Sequence, residues 1–383
     1  DIADIASSYV TLKQHGRNLT ALCPFHNEKT PSFNIYRDSG SFYCFGCGVG
    51  GDVITFIRLI ENLDYIEAVK LLAQRCGLKM PENDFDNETS KIKTRIYEAN
   101  REAARYYHKM LYSNEGAKAL KYLRSRGLTE HTIKHFGLGY SPSSRFALVN
   151  HLRSLGYKNE EIINANLAFK GRSGGCADRF FNRVMFPIID LRGNVIAFGG
   201  RILTDEKPKY LNTSDTLVFK KTQNLFAFNF AKNVCKNQII LTEGYMDVIA
   251  LHQAGIENAV ATLGTSITKE QANLLSRYTD EVIICYDADS AGQKATNRAI
   301  GLLRETGVLI KVISIPDGKD PDEFIKLHGK SGAIKFKQLI ESSNNDIEYS
   351  LAKLKLSCDI NSTEGKVKYI TNACKILSEI GNQ

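Results

Sequence analysis

Two pairs of metal-ligating side chains lie near the start of the chain. Two residues separate Cys23 from His26, two separate Cys44 from Cys47, and seventeen lie between the pairs. A two-residue spacer lets one tight turn aim both side chains at a single ion. Four protein ligands leave no open position for water, which is the pattern of one structural zinc rather than a catalytic one. Around the ligands stand Phe25, Lys29, Phe33, Tyr36, Arg37, Phe42, Tyr43 and Phe45. These could stack unpaired bases while the cations hold phosphates, or could in part fill a very small core.

A second chemistry gathers after residue 240. Glu243 lies in TEGYMD with Asp247 behind it, Asp287 and Asp289 lie in YDADSAG, and Asp320 and Asp322 lie in PDGKDPDE. Carboxylates one residue apart repel and raise each other's pKa. A divalent cation, Mg2+ or Mn2+, relieves that repulsion and recruits phosphates. Two such ions are what nucleotidyl transfer uses, one activating an attacking 3′ oxygen and one steadying the leaving pyrophosphate. The local alternative is that Asp289, Asp320 and Asp322 are helix N-caps.

The elements that must position these groups follow from the pattern. From Gln238 the rhythm is strand, loop, helix: QIILT, AVATL, EVIICY and LIKVISI each precede a helical stretch, which implies a parallel sheet with crossover helices. Each acidic motif then falls just beyond a strand's carboxyl end, where open α/β sheets bind ligands. Residues 1–80 read as a small ribbon domain ending in an amphipathic helix, and 81–94 as a polar linker that lets the ribbon move. Residues 95–215 read as a mixed α+β subdomain with a turn at Arg192-Gly193-Asn194, 216–345 as the α/β subdomain, and 346–383 as a helical, truncated remainder. The fold class expected is therefore multidomain α+β.

Composition bounds the function. Fifty Lys plus Arg against 42 Asp plus Glu give +8, a modest excess that permits an anionic partner. Apolar residues make up 43% without a membrane-length run, and Asp1 to Val10 lack a signal-peptide pattern, so a cytoplasmic location is expected. Nine Cys, of which three are clustered, suit a metal site in a reducing compartment better than disulfides. The start at Asp1 suggests a fragment.

EGYMD, YDADSAG and DGKDPDE, in that order behind the Cys-His-Cys-Cys site, resemble the topoisomerase-primase (Toprim) core of bacterial DnaG-type primases. The resemblance covers nearly the whole chain and implies a zinc ribbon, a basic subdomain, a Toprim subdomain with a mostly parallel sheet and a partial helical bundle. It implies an RNA polymerase that makes primers on single-stranded DNA for replication. Glu243 would be the general acid/base and a metal ligand, Asp287 and Asp289 magnesium ligands, and Asp247, Asp320 and Asp322 supporting acids. The family's basic cleft maps onto Arg126, Arg183, Arg201, Lys209, Tyr210, Asn212 and Lys221. Implied partners are a single-stranded template, ribonucleoside triphosphates, the RNA primer–DNA hybrid and, through a C-terminal domain beyond this chain, a replicative helicase. Implied too is a nucleoid-associated location and no membrane. Phe181 stands where the family usually carries a basic residue, and Ser214-Asp215 where a proline is common.

Three rivals are weighed. A type IA topoisomerase needs a nucleophilic Tyr in a large gate domain for which there is little room. A primase-helicase needs a phosphate-binding loop, but Phe324 stands where the first glycine before Gly329-Lys330-Ser331 belongs. A zinc-ribbon single-strand-binding module without catalysis is separated by an RNA-synthesis assay.

Overall fold

The computed structural model describes residues 1–26, 28–61, 63, 65–78, 84–171, 175–235, 237–264, 266–316 and 320–378. Alternation of apolar residues builds the first unit. Lys13–His15, Asn18–Ala21, Phe33–Tyr36, Ser41–Cys44 and Gly50–Asp52 form a five-stranded sheet in chain order, each strand antiparallel to the next. Successive side chains point to opposite faces, so Leu19, Phe33, Ile35, Phe42 and Cys44 share the buried face. The helix Val53–Ile60 covers it with Phe56 and Ile57. The rings of Phe25, Phe33, Phe42 and Phe56 all lie within 5.3–6.0 Å of one another. Three of the aromatics that could have stacked bases are therefore core, whereas Tyr43 and Phe45 are exposed and meet edge to face at 5.0 Å.

Of the segment expected as a linker at 81–94, residues 81–83 lie outside the described residues and the rest begins the long helix Asp84–Leu111. A polar stretch can be helical because Glu, Lys and Arg are good helix formers. Burial begins at Ile96 and recurs at Ala99, Ala103, Tyr107 and Leu111, the spacing of one helix face. That face packs on a four-stranded antiparallel sheet ordered Tyr210–Asn212, Val195–Ile202, Arg183–Ile189, Gly139–Ser141.

In the third unit Ile239–Thr242, Ala259–Ala261, Glu281–Ile284 and Leu309–Val312 pair in parallel, with Asn344–Asn345 antiparallel at one edge. Nearly every residue of the first three of these strands is buried, as expected of strands covered on both faces, whereas Leu309–Val312 exposes Leu309. From Ile239–Thr242 the chain crosses first to one neighbour, Ala259–Ala261, and then back past it to the other, Glu281–Ile284. The strand order thus reverses at Ile239–Thr242, opening a crevice at its carboxyl end. The helices Asp346–Ser357 and Thr363–Ser378 pack on each other after the sheet.

The ribbon is seated on the third unit, where Arg277 Nη1 donates to the Leu59 carbonyl at 2.7 Å. Among the described residues no helix is long and apolar enough to cross a membrane.

Candidate metal centres and the basic wall between them

The ligand atoms of Cys23, His26, Cys44 and Cys47 all lie within 4.8 Å of one another. Cys23 Sγ is 3.9 Å from Cys47 Sγ, and Cys44 Sγ is 3.7 Å from His26 Nδ1. Thiolates on a tetrahedral zinc stand roughly 3.8 Å apart, so the set fits that ion. Two residues outside the spacing pattern support it. Glu28 accepts from the Cys23 amide at 2.7 Å, from the Ser32 amide at 2.9 Å and from the Ser32 hydroxyl, and its Oε2 lies 3.3 Å from His26 Nε2. Burial would raise the Glu28 pKa, but the Ser32 and Cys23 hydrogen bonds outweigh it and hold the group below its usual range. Ser32 Oγ also lies 3.1 Å from Cys44 Sγ. The backbone of Gly46 passes so close to His26 that a Cβ there would lie 2.5 Å from Nε2. Sequence reasoning passed over Glu28 and Ser32 because a carboxylate and a hydroxyl beside a turn carry no ligand spacing of their own.

At the acidic centre, Glu243 follows the strand Ile239–Thr242 and Asp287 follows the neighbouring strand Glu281–Ile284, so adjacent strand ends bring them together. The Asp287 amide donates to Glu243 Oε1 at 3.4 Å. Burial and then Asp287 raise the Glu243 pKa; burial followed by Asp320 and Asp289 pushes Asp287 up to about 6. Asp247, 7% exposed, is driven strongly up by burial and then by Asp320 and Asp287, and Asp320 is raised by burial. One mutual field of negative charge therefore spans all three strand ends. Gly292 is required by closeness, since a Cβ would lie 2.2 Å from the Asp287 carbonyl and 3.0 Å from Glu243 Oε1.

The N-cap reading holds locally for two acids. Asp289 Oδ1 accepts from the Ala291 and Gly292 amides at 2.9 and 2.8 Å, and Asp320 Oδ1 accepts from the Glu323 amide at 2.7 Å. It does not hold for Asp322, which sits inside the helix Pro321–His328, is 1% exposed, and pairs with Arg126 and, at 2.7 Å, with Lys326. Burial would lower the Arg126 pKa, but Asp322 outweighs it and the net direction is upward. Residues 317–319 of the third motif lie outside the described residues.

The expected cationic residues divide into two groups. Arg201 stacks 4.4 Å over Tyr122 and 5.9 Å over Tyr210, and Lys209 and Tyr210 are exposed beside it. Lys221 is half-buried in a short turn. Arg183 is a correction: it is 4% exposed, and Nη1 donates to the carbonyls of Gly200 and Pro208, each at 3.1 Å. It braces the hairpin from inside, because the apolar strand VMFPII that it begins faces the core on both sides. Asn212 spends its side chain on a joint, donating to the Leu263 carbonyl at 2.8 Å and accepting from Tyr245 Oη at 2.8 Å. At Phe181, where the resemblance leads one to expect a basic residue, the Arg145 guanidinium lies 4.1 Å over the ring. Ser214 at the other departure accepts from Arg179 at 2.9 Å.

Family models match in three places: the CHC2 zinc finger over residues 1–88, the DNA primase catalytic core N-terminal domain over 106–232, and the Toprim-like domain over 240–325. The DNA primase of Clostridium acetobutylicum is 46% identical over 384 residues, covering 99% of this chain and 63% of that protein. The DNA primase of Haemophilus influenzae is 39% identical over 394 residues, covering 99% and 65%. The chain thus spans a little under two thirds of these relatives. The crystal structure of the zinc-binding and RNA polymerase domains of the Aquifex aeolicus primase is similar at 37% identity and TM-score 0.64, covering 99% of this chain and 92% of that one. A DnaG primase catalytic domain bound to single-stranded DNA matches at 33% identity and TM-score 0.65, covering 76% and 91%.

Proposed function

This chain belongs to the DnaG-type primase family, and from that premise we propose that it synthesises short RNA primers on single-stranded DNA by divalent-metal-dependent nucleotidyl transfer. The observation that carries the reading is the pairing of Glu243 with Asp287 at the reversal of strand order, joined through Tyr245 and Asn212 to the sheet that bears Arg201, Lys209 and Tyr210. Bound Mg2+ or Mn2+, two ions or more, would polarise phosphate oxygens and offset the charge that builds on the leaving pyrophosphate. Glu243, Asp287 and Asp289 would hold it, with Asp247 and Asp320 beside them and Asp322 behind, turned toward Arg126. Glu243, whose pKa burial already raises, would take the proton of the primer 3′ hydroxyl at a carboxylate oxygen.

Arg201, Lys209 and Lys221 would hold phosphates of template and incoming ribonucleotide, with Tyr210 against a base or sugar; such contacts position the strand while base pairing supplies the sequence. Tyr43 and Phe45, exposed on the zinc ribbon, suit template bases better than the buried phenylalanines do. The reading divides the chain into a ribbon at 1–80, a basic subdomain at 95–215, a Toprim subdomain at 216–345 and a helical segment at 346–383. The protein would work on the bacterial nucleoid, with the RNA primer–DNA hybrid as its product and a replicative helicase as a partner.

Radiolabelled ribonucleotide incorporation on a single-stranded template with added Mg2+ tests the reading. Template-dependent RNA is expected from the wild-type chain and none from Asp287→Ala, with template binding retained. Undiminished synthesis by the variant would overturn the assignment of the acidic centre.

A further inference from the structure

A cavity of about 900 Å3 lies between the zinc ribbon and the Toprim unit, well within the size that small ligands occupy. Tyr9, Lys13 and Lys29 stand on its ribbon side, and Arg277 and Tyr278 on the opposite wall. The acidic centre contributes nothing to this lining. Arg277 is the unusual member. Its Nη1 donates to Leu59, its Nε is buried with no hydrogen-bond partner, and burial lowers its pKa. Among the described residues no carboxylate pairs with it.

The acid in the wall, Glu61, is already engaged, accepting from the Tyr9 hydroxyl at 2.6 Å. Lys13 and Lys29 are exposed and likewise meet no acid among the described residues. Three cations therefore face one cavity against a single occupied carboxylate. Cys23 of the zinc cluster lies within electrostatic reach of Arg277, but its charge is shared with the zinc site, and a desolvated guanidinium without a carboxylate partner gains from an anion that reaches it. The remaining wall is proline and aliphatic side chain with two phenol rings, together with Thr11 and the zinc-cluster residue Cys23.

Cations converging beside flat apolar and aromatic surface are the complement of a phosphate joined to a planar base. We propose that this cavity binds a nucleoside phosphate, either free or as one residue of a single strand, with its phosphate on Lys13, Lys29 and Arg277 and its base against a tyrosine ring. Because the ligand touches both units, its binding favours the seated ribbon over a released one.

The assay uses the full chain carrying Asp287→Asn, without added divalent cation, so that nucleotide held at the acidic centre does not contribute and failure of the nucleotidyl-transfer reading leaves this result intact. ATP and an oligothymidylate are titrated separately by equilibrium dialysis against the parent chain, the Arg277→Gln variant and the Lys13→Gln/Lys29→Gln double variant. The lysine pair is exposed and serves as the variant that does not disturb the seat of the ribbon. Loss of about tenfold in ATP affinity in both variants supports a free nucleotide in the cavity. The same loss confined to the oligothymidylate supports a strand nucleotide there. Unchanged affinity for both ligands in the lysine pair overturns the proposal. Photocrosslinking of 8-azido-ATP or 4-thiothymidine to peptides bearing Tyr9 or Tyr278 is the expected independent readout, and crosslinks confined to the acidic centre contradict it.

Discussion

Tyr245 donates its phenolic O–H to Asn212 Oδ1 at 2.8 Å, and through that bond the helix behind the acidic centre is tied to the edge strand of the basic sheet. The Tyr245 ring lies parallel to Phe186 at 5.2 Å and so close to Gly199 that a Cβ there would come within 2.6 Å of it. One tyrosine lodged against two strands thus helps to set the distance from acids to cations. Tyr245→Phe keeps the stack and leaves Asn212 Oδ1 without its donor. A stability loss of about 1–2 kcal/mol in urea denaturation is expected. RNA synthesis should fall further than that loss explains, and equal losses would assign the bond to folding alone.

Arg126 and Asp322 join the same two units by charge. Removing one partner of a buried pair strands the other, at roughly 3–5 kcal/mol when both are fully buried and less here because Arg126 is 31% exposed and Lys326 remains. Arg126→Met should therefore cost about 1–3 kcal/mol. The double variant Arg126→Met/Asp322→Leu should recover part of that stability while losing activity. A double variant less stable than the single one would reject the pairing as the cause.

The acidic centre makes stability depend on pH. Asp287 has a folded pKa of about 6, above its unfolded value of about 3.9, so the native state binds the extra proton. Its stabilisation is full below about pH 4 and is lost as pH rises through 6. Glu243 and Asp247, also raised, act in the same sense. Without divalent cation, thermal melts should show Asp287→Asn gaining on wild type between pH 4 and 7, by about 1 kcal/mol once solvent screening of this half-exposed group is allowed for. Saturating Mg2+ should narrow that gap, and a gap that widens with Mg2+ would contradict ligation by Asp287.

Glu28→Gln removes the carboxylate that gathers Cys23, Ser32 and His26 while leaving all four members of the Cys/His cluster in the sequence. Zinc affinity should weaken by about 10–100-fold in competition with a chromophoric chelator. Cys47→Ala should lose zinc and unfold the ribbon, seen as loss of amide protection up to about residue 60, while the sheet at Ile239–Thr242 stays protected. Loss of protection throughout the chain would show that the ribbon seat at Arg277 is needed for the rest to fold.

Much of the site was legible because its signals are local. Cys and His at fixed spacing and acids just past apolar strands need no distant partner to be recognised. The helix within 81–94 was not legible for the opposite reason: a polar stretch of Glu, Lys and Arg suits helix and coil alike, and the contacts that hold it, Lys93 to Glu67 at 3.8 Å and Arg95 to Glu161 at 2.6 Å, join residues far apart in the chain. Arg183 was read as a cleft cation because its neighbours in the motif are, yet whether an arginine meets a phosphate or the carbonyls of Gly200 and Pro208 depends on how two strands fold over it. The aromatic cluster of the ribbon was ambiguous by itself, and burial separated Phe25, Phe33 and Phe42 from Tyr43 and Phe45.

By itself, the sequence determined the Cys/His cluster, the acidic motifs, the strand-and-helix rhythm that places them and the family they resemble, since each depends on residue type and short separation. The tertiary structure alone decided which acids share one field, which cations remain exposed, that Asp322 answers to Arg126 across 196 residues, and that a basic cavity lies beneath the ribbon. Those relationships join residues far apart in the chain, and only packing determines which charges desolvate one another.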